Sequence, residues 1–342
     1  MEKINWGILG LGEIAQKFSD GFKETTNSKL LAVSSKNSEK LKSFESKFNI
    51  EKKYLFNEYE DLINCKDIDV IYIALPNSLH HRWVIKSIQN KKHVLVEKPA
   101  TLNFMEIKDI EKNLINKNLF FGEAFMYRYL PQINLVINII KNGEIGNLLS
   151  MKSLFGINLL SKKKLLFFNK KKEIDPNNRL FNKKLGGGCI LDLGCYPISF
   201  SILVNSLIGK INENDLKILN VKKEIGETNV DIDSYTNISF NHKFISEIGA
   251  SFKKELGTMS EIKGDKGIIR INNTWLGGNG IIKIKDNNHH LIEIKNDKNI
   301  YSYQIQNISQ TISKGAFQPQ FPGMTLKETL LNMKAIDEWL NV

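Results

Sequence analysis

The sequence predicts an α/β protein of two domains, and three observations lead to this fold class. The chain has 342 residues, and single hydrophobic cores stop growing at roughly 250–300 residues. Strand-like and helical segments alternate up to about residue 122, which is typical of a parallel sheet with crossover helices. Beyond that point strands follow one another directly, as in antiparallel meanders. We therefore expect a first domain at 1–122 and an α+β domain at 123–342, built on a large open, mostly antiparallel sheet.

The elements of the first domain follow from the spacing of its apolar residues. Five strands are predicted at INWGIL, KLLAVS, IDVIYIAL, HVLVE and LFFGEA. The third is almost continuously apolar, as expected of a strand buried on both faces. Between the strands, apolar residues recur at three- and four-residue intervals. These intervals predict helices around residues 14–22, 41–48, 84–88 and 107–114.

The second domain opens with a helix around residues 133–140 and the strand LLSMKSLFGI. Six short strands are then predicted at LKILNV, SYTNISF, FISEIGASF, GIIRI, IIKIK and HLIEI, and a last helix at about 325–341. Because helical signal is nearly absent among these strands, we expect one broad face of the sheet to pair with a second copy in a homodimer. The apolar side of this face is expected at Phe244, Ser246, Ile248, Ala250 and Phe252, with Glu247 on the opposite side.

Composition excludes several kinds of partner. The net charge is +11, but only four arginines occur, and arginine is the residue most used to read bases. We therefore expect no nucleic acid partner, and we interpret the basic run at 161–172 as a solvated surface loop. No apolar run reaches the roughly 20 residues that span a bilayer, so no membrane partner is expected. The amino terminus also lacks the charged-then-apolar pattern of a secretory signal.

The cysteine content indicates the compartment and whether a metal site is expected. The chain has three cysteines, Cys65, Cys189 and Cys195. They form no C-x-x-C pair, so neither a disulfide framework nor a zinc site is expected. Cys189 and Cys195 are interpreted as small buried side chains. A reducing cytoplasm is the expected location, and no metal ligand is assigned.

The segment GLGEIA matches the pattern G-x-G-x-x-A between the first strand and the first helix. Glycines let the backbone turn tightly and approach a pyrophosphate, and a helix N-terminus favours the anion. The alternative is an ordinary strand–helix turn, which the context disfavours. We predict a dinucleotide-binding Rossmann domain in which the cofactor contacts Gly10, Gly12, Glu13 and Ile14.

The end of the second strand indicates which dinucleotide binds. NAD sites usually place a carboxylate there to bond the ribose 2′-hydroxyl, whereas this chain reads SSKNSEK. Ser35, Lys36 and Lys40 suit a 2′-phosphate, so NADP is predicted and NAD is less favoured. The alternative is that both lysines are ordinary surface residues.

Two further segments fall at the carboxyl edge of the predicted sheet, where ligands bind in such folds. The segment ALPNSLHH forms a turn and predicts cofactor contacts from Leu75, Pro76, Asn77 and His80. One of its two adjacent histidines is expected on the helix surface, and adjacent residues make a poor metal pair. The segment VLVEKPATL ends a buried strand with Glu97 and Lys98, both predicted at the cofactor.

GLGEIA, ALPNSLHH and VEKP, in this order and spacing, resemble the glucose–fructose oxidoreductase, inositol dehydrogenase and rhizopine-catabolism family over essentially the whole chain. This resemblance implies that Lys98 lies beside the nicotinamide and the reacting carbon. GEAFMYRYLPQ and GGGCILDLGCYPI are similar to the subgroup of dimeric dihydrodiol dehydrogenase and NADP-dependent xylose dehydrogenase. In the family's D-x-x-x-H pattern this chain has Asp192 and, in place of the histidine of inositol dehydrogenases, Tyr196, which points toward the glucose–fructose oxidoreductase and dihydrodiol side.

The resemblance also implies a catalytic group of Lys98, Tyr196 and Asp192. A phenol is a poor base near neutral pH unless a neighbouring ammonium favours the phenolate. Tyr196 would then exchange the proton beside Lys98, while Asp192 orients a substrate hydroxyl; alternatively, Tyr196 packs in the core and Lys98 acts alone. The resemblance implies that Arg179 contacts the substrate, although the family segment usually has a tryptophan where Asn178 stands. Arg128 is expected to be either an interdomain ion-pair partner or a cofactor or substrate contact.

The expected activity is an NADP-dependent hydride transfer to or from a sugar, polyol or vicinal diol. The alternative is a sensor of the same fold that binds a nicotinamide cofactor or a sugar without catalysis. The chain has acid–base groups that a sensor does not need, and it lacks a helix-turn-helix segment. The enzyme is therefore the favoured hypothesis.

Overall fold

The computed structural model describes residues 3–164, 168–240, 244–277, 281–285, 289–294 and 297–342. The chain divides into two compact units. The first comprises Met1–Leu130 with Asp297–Thr329, and the second Pro131–Asn296 with Leu330–Val342. The first unit thus continues eight residues beyond the expected boundary after residue 122, and it includes a late segment that was not predicted.

The first unit contains a six-stranded parallel sheet in the order β3-β2-β1-β4-β5-β6. Its strands are β1 (Ile4–Leu9), β2 (Ser28–Ser34), β3 (Leu55–Phe56), β4 (Val70–Ile73), β5 (His93–Val96) and β6 (Phe121–Glu123). The helices between them are α1 (Glu13–Asp20), α2 (Ser38–Phe48), α3 (Tyr59–Asn64), α4 (His80–Gln89) and α5 (Phe104–Leu114). The predicted Rossmann domain is confirmed; the short β3 and α3 were not predicted.

The second unit contains an eight-stranded sheet in the order β10-β11-β12-β7-β13-β14-β15-β16. Its strands are β7 (Leu148–Gly156), β10 (Leu216–Ile225), β11 (Asp231–Phe240), β12 (Ile245–Ser251), β13 (Ser260–Gly264), β14 (Ile268–Ile271), β15 (Ile281–Lys285) and β16 (His289–Glu293). Strands β12 and β7 pair in parallel, and the other neighbouring pairs are antiparallel. The mostly antiparallel sheet is confirmed, with β13 as an additional strand.

A two-stranded ribbon interrupts the second unit between β7 and the helices. It consists of β8 (Ser161–Lys164) and β9 (Phe168–Lys171) in antiparallel register. The expected surface loop at 161–172 is therefore wrong in its secondary structure. Residues 165–167, which connect the two strands, lie outside the described residues.

The remaining helices are α6 (Pro131–Lys141), α7 (Cys195–Ser206), α8 (Ile300–Ser313) and α9 (Leu326–Asn341). Helix α8 belongs to the first unit, where its Ser309 hydroxyl accepts a hydrogen bond from Trp6 Nε1 at 2.9 Å and another from Ser28 Oγ at 2.8 Å. This helix was not predicted, although its apolar residues do recur at helical spacing: Tyr301, Ile305, Ile308 and Ile312.

The apolar face of the eight-stranded sheet is covered within its own unit. Helix α7 and the π-helical turn before it, Ile190–Gly194, pack against β12 and β7. Phe244, Ile248 and Phe252 are buried with at most 1% of their surface exposed. The prediction that a second copy covers this face is wrong, because α7 covers it. This helix was overlooked as a cover because it precedes the meander in the sequence.

The helical run Lys183–Ser206 is long and apolar enough to cross a membrane by length and composition alone. Its apolar window is nevertheless entirely buried inside the protein. A helix that covers a sheet face on one side and is enclosed on the others needs apolar side chains all round. The run therefore has the character of a core helix.

Candidate active site

The turn after β1 lies close to the residues that follow β4. Gly10 has φ +87°, and a Cβ at this position would lie 2.6 Å from Leu75 Cδ2 and 2.7 Å from the Ala74 carbonyl oxygen. Gly12 is the N-cap of α1 and has no side-chain cap, and a Cβ there would meet nothing within 4 Å. The turn thus leaves open space at a helix N-terminus, which fits a dinucleotide pyrophosphate.

Two further predicted cofactor contacts occupy the first turn of α1. Glu13 is exposed and forms an ion pair with Lys17, with Nζ and Oε1 2.7 Å apart. Ile14 is partly exposed. Both backbone N–H groups belong to the first turn, where a helix has no internal acceptors for them.

The end of β2 presents two lysine side chains to solvent. Ser35 is buried, and its hydroxyl accepts a hydrogen bond from the Asn37 N–H at 3.2 Å. Asn37 caps α2 by accepting the Lys40 N–H at 3.0 Å. Lys36 and Lys40 are exposed, and the Lys36 ammonium lies 3.9 Å from a Glu58 carboxylate oxygen. This arrangement fits a 2′-phosphate. The phosphate would compete with the Glu58 carboxylate for the Lys36 ammonium.

The turn after β4 carries Leu75, Pro76 and Asn77, of which Asn77 is 6% exposed. His80, at the start of α4, is completely buried. Its Nδ1 lies 2.8 Å from the Pro99 carbonyl oxygen, and its Nε2 lies 2.9 Å from the Leu75 carbonyl oxygen. Its ring therefore faces backbone groups. His81 is the histidine at the helix surface, beside Asp109 at 2.9 Å.

Lys98 follows β5 and is half-buried. Its N–H donates to Glu97 Oε2 at 3.2 Å, and the Tyr72 hydroxyl donates to Glu97 Oε1. Glu97 is itself 9% exposed. The carboxylate beside the lysine is thus held by groups of β4 and of its own turn.

A second carboxyl group at this edge escaped the sequence reasoning. Glu123, the last residue of β6, accepts the Ala100 N–H on Oε1 at 3.0 Å. Burial raises the pKa of Glu123 to about 7, while the Ala100 N–H and the Arg128 guanidinium favour its charged form. A signal was present, because a glutamate inside an otherwise apolar strand is costly unless it is paired.

Arg128 lies in the interior of the first unit. Its side chain is 0% exposed, and Nη1 donates to Glu328 Oε1 at 2.9 Å and to the Pro322 carbonyl oxygen at 3.3 Å. Burial lowers the pKa of the guanidinium and Glu328 raises it, and the net pKa lies above the usual value. Of the two predicted roles, this geometry favours the ion pair over a cofactor contact.

In the second unit, Asp192 and Tyr196 lie on consecutive turns. Asp192 belongs to the π-helical turn, and its Oδ1 is 3.3 Å from Nη1 of the half-exposed Arg179. Tyr196 is the second residue of α7 and is 7% exposed. Its ring centroid lies 5.4 Å from that of Phe155 and 5.6 Å from that of Trp275. Aromatic packing therefore sets the orientation of the phenol ring.

Cys189 and Cys195 are both completely buried on either side of the π-helical turn. Burial raises the pKa of the Cys189 thiol well above its usual value, and Sγ donates to the Ala250 carbonyl at 3.3 Å. A thiol of this kind is inert. Within the described ranges, His, Cys, Asp and Glu do not gather in groups of three that could hold a metal ion.

A parallel sheet with an open glycine turn at a helix N-terminus and polar groups at its carboxyl edge defines a dinucleotide-binding α/β protein. Residues 4–125 match the family described as "Oxidoreductase family, NAD-binding Rossmann fold", and residues 133–270 match the GFO/IDH/MocA C-terminal domain. The chain belongs to this GFO/IDH/MocA oxidoreductase family. The predicted family and the prediction of an oxidoreductase enzyme are confirmed.

Similar proteins include a trans-1,2-dihydrobenzene-1,2-diol dehydrogenase of Xenopus tropicalis, which is 26% identical over 98% of this chain and 96% of its own length. The fold is similar to KijD10, a 3-ketoreductase of Actinomadura kijaniata solved with NADP and TDP-benzene, with TM-score 0.82, 20% identity and coverage of 98% and 96%. It is also similar to an aldose–aldose oxidoreductase of Caulobacter crescentus complexed with glycerol, with TM-score 0.84, 19% identity and coverage of 99% and 97%.

Proposed function

We propose that this oxidoreductase transfers a hydride between NADP and a carbon of a sugar, polyol or vicinal diol. The observation that carries the proposal is Lys98, half-buried where β5 ends at the carboxyl edge of the parallel sheet. Ligands of such sheets bind outside this edge. The names of similar proteins support the substrate class, since they are a dihydrodiol dehydrogenase, an aldose–aldose oxidoreductase and a 3-ketoreductase.

NADP is the cofactor we propose, with NAD less favoured. The exposed Lys36 and Lys40 beside Ser35 suit the charge of a 2′-phosphate, and charge-assisted hydrogen bonds are the stronger class. The open space at Gly12 suits the pyrophosphate. The bound cofactor supplies the carbon that gives or takes the hydride. KijD10, which has a similar fold, was solved with NADP.

We propose Tyr196 and Lys98 as the groups that exchange the hydroxyl proton. In oxidation the phenol oxygen takes the proton, and the lysine ammonium favours the phenolate that must exist beforehand. Tyr196 packs edge-on against Phe155, and this contact orients the phenol ring. Asp192, paired with Arg179, is proposed to orient a second substrate hydroxyl.

The substrate we propose is neutral. Among the proposed contacts, Arg179 is the cation outside the cofactor turns, and its guanidinium already pairs with Asp192. Outside the cofactor turns, the proposed contacts therefore include no further cation that could pair with a carboxylate of the substrate. A nucleotide-linked sugar is the second candidate, because KijD10 was solved with TDP-benzene.

The test is a turnover assay that follows nicotinamide absorbance with NADP and NAD in parallel. The panel contains aldoses, polyols, cyclic trans-diols, dTDP-linked sugars and 2-hydroxy acids. We expect turnover with one of the first three groups and with NADP. Turnover confined to 2-hydroxy acids would contradict the proposal, and turnover confined to dTDP-sugars would select the second candidate.

We also propose a cytoplasmic homodimer. Its interface would use the side of the eight-stranded sheet opposite α7, where Glu247 and Lys152 form an exposed ion pair at 2.6 Å and Ile245 is 43% exposed. Closed two-fold pairs are the commonest homo-oligomers. The three free cysteines agree with a reducing compartment. A monomeric mass by light scattering at micromolar concentration, or recovery outside the cytosolic fraction, would contradict this.

A further inference from the structure

Side chains from three elements hold the backbone of the short segment Lys98–Ala100. The Lys98 N–H donates to Glu97 Oε2 at 3.2 Å. The Pro99 carbonyl oxygen lies 2.8 Å from His80 Nδ1, and the Ala100 N–H donates to Glu123 Oε1 at 3.0 Å. Two of these partners, His80 of α4 and Glu123 of β6, come from outside the segment's own strand.

We propose that His80 and Glu123 are positioning residues for Lys98. They fix the peptide groups directly after the lysine and thereby set where its flexible side chain starts and in which direction it leaves the backbone. The inference rests on the proposed function, in which the Lys98 ammonium takes part in proton exchange. Neither residue needs to touch cofactor or substrate for this role.

The position of His80 explains how it holds the segment Lys98–Ala100. The ring is completely buried, and both nitrogens face carbonyl oxygens, those of Leu75 and Pro99. A backbone carbonyl only accepts hydrogen bonds, and a neutral imidazole has one N–H, so the ring donates to one of these two oxygens while its other nitrogen lies beside the second. His80 therefore connects the turn after β4 to the turn after β5. These turns carry the proposed cofactor contacts and the proposed catalytic lysine.

Glu123 holds the segment from the other side. The carboxyl group is buried at the end of β6, and the Ala100 N–H supplies a direct hydrogen bond. The Ala100 N–H, the Thr329 hydroxyl and the Arg128 guanidinium favour its charge, while burial and Glu97 oppose it. An apolar residue would fill this position at lower cost. The gain from a glutamate here is the oxygen that receives the Ala100 N–H.

Precise placement matters because lysine has a long and flexible side chain. A misplacement of about 1 Å in a catalytic group can lower turnover about a hundredfold. Loss of one of the two partners should relax the segment without removing the lysine. The expected result is a fall in kcat with little change in cofactor affinity.

The test compares Glu123→Leu, which removes the acceptor, with Glu123→Gln, which keeps an amide oxygen for the Ala100 N–H. Glu123→Leu should lower kcat per folded molecule at least about tenfold, with the NADP dissociation constant within about threefold of wild type. Glu123→Gln should retain most of the turnover. A purely structural role would instead lower the folded fraction and leave kcat per folded molecule unchanged.

Glu24 provides the matched control in the same unit. Its Oε2 accepts the Asn299 N–H at 2.6 Å and the Ser302 hydroxyl at 3.0 Å, at the start of α8. It is also a carboxylate that receives a backbone N–H, but it lies outside the proposed machinery. Glu24→Leu should lower the melting temperature while kcat per folded molecule stays within about twofold. An equal loss of kcat in both leucine variants would overturn the proposal.

His80→Ala completes a double-mutant cycle with Glu123→Leu. Because both residues act on one segment, the double variant should lose clearly less than the product of the two single losses in kcat. Multiplicative losses would mean two independent effects and would overturn the shared role.

A measurement without turnover separates this inference from the proposed function. The rate at which Lys98 is acylated by a lysine reagent, read by peptide mass spectrometry, reports the placement of its ammonium group. Glu123→Leu and His80→Ala should each change the acylation rate of Lys98 at least about fivefold. The rate for Lys66, an exposed lysine of the same unit, is the internal reference. If wild type turns over no substrate but these rates change, the proposed function fails and the positioning stands. Unchanged rates would overturn the positioning.

Discussion

The two regions that contain the proposed catalytic groups hold them by different means. At the carboxyl edge of the parallel sheet, buried charged and polar groups hold one another and the backbone, as in the Arg128–Glu328 and Glu123–Ala100 pairs. At the π-helical turn, Tyr196 is held by the rings of Phe155 and Trp275. The first arrangement fails when one partner is removed, because the other is left buried and unsatisfied. In the second, the ring contacts of Tyr196 do not depend on its hydroxyl.

Removing the partner of the buried arginine should give the largest effect. Glu328→Ala leaves the completely buried Arg128 guanidinium without its carboxylate. We expect the free energy of unfolding to fall by about 3–5 kcal/mol. The control is Glu247→Ala, whose partner Lys152 is exposed, with an expected loss below about 1 kcal/mol. Chemical denaturation measures both, and similar losses in the two variants would show that burial does not distinguish the pairs.

Lys98→Met tests the charged group at the edge directly. Methionine keeps the length and apolar part of the side chain but removes the ammonium. We expect turnover to fall at least about a hundredfold while NADP still binds. Lys66→Met, an exposed change in the same unit, should leave turnover unchanged. Near-normal turnover of the Lys98 variant would remove this lysine from the mechanism.

Tyr196→Phe tests the aromatic region. The ring and its packing remain, so the folded structure should be retained while the hydroxyl is lost. We expect turnover to fall at least about a hundredfold. Tyr235→Phe, which removes another hydroxyl of the same unit, is the control. Normal turnover of the Tyr196 variant across pH 6–10 would leave Lys98 as the base and assign Tyr196 to the core.

The stability of the edge should depend on pH through Glu123. Burial raises its folded pKa to about 7, above the value of about 4.3 for an unfolded glutamate. The neutral carboxyl therefore contributes stability that is fully present below about pH 4.3 and is lost as pH rises to about 7. Between pH 5 and 8, wild type should lose about 2–3 kcal/mol relative to Glu123→Gln. If the difference in the free energy of unfolding between wild type and Glu123→Gln were the same at pH 5 and pH 8, the raised pKa would be contradicted.

The smallest expected effect concerns cofactor choice at the end of β2. Lys36→Ala and Lys40→Ala should each weaken NADP binding by about 1.5–3 kcal/mol, or roughly ten- to a hundredfold, and leave NAD binding nearly unchanged. Lys42→Ala, an exposed change on the same helix, is the control. Equal weakening of NADP and NAD in titrations would contradict the assigned 2′-phosphate contacts.

Local features of this protein could be predicted from its amino-acid sequence. The strand–helix alternation gave the parallel sheet, because buried strands and amphipathic helices have different apolar periods. Gly10 could be recognised because a tight approach to β4 requires positive φ and no Cβ. The family motifs identified the oxidoreductase family, and both family models confirm it. The position of Lys98 at a strand end also followed directly.

Which distant residues contact one another could be learned only from the three-dimensional structure. Adjacent histidines carry the same local signal, yet His80 is buried between two carbonyls and His81 is paired at the surface. The partner of Arg128 lies 200 residues away in the chain. The cover of the sheet face was also undecidable locally, because α7 reaches it from an earlier position. Periodicity reports which face of an element is buried, whereas the identity of the covering element depends on packing across the whole chain.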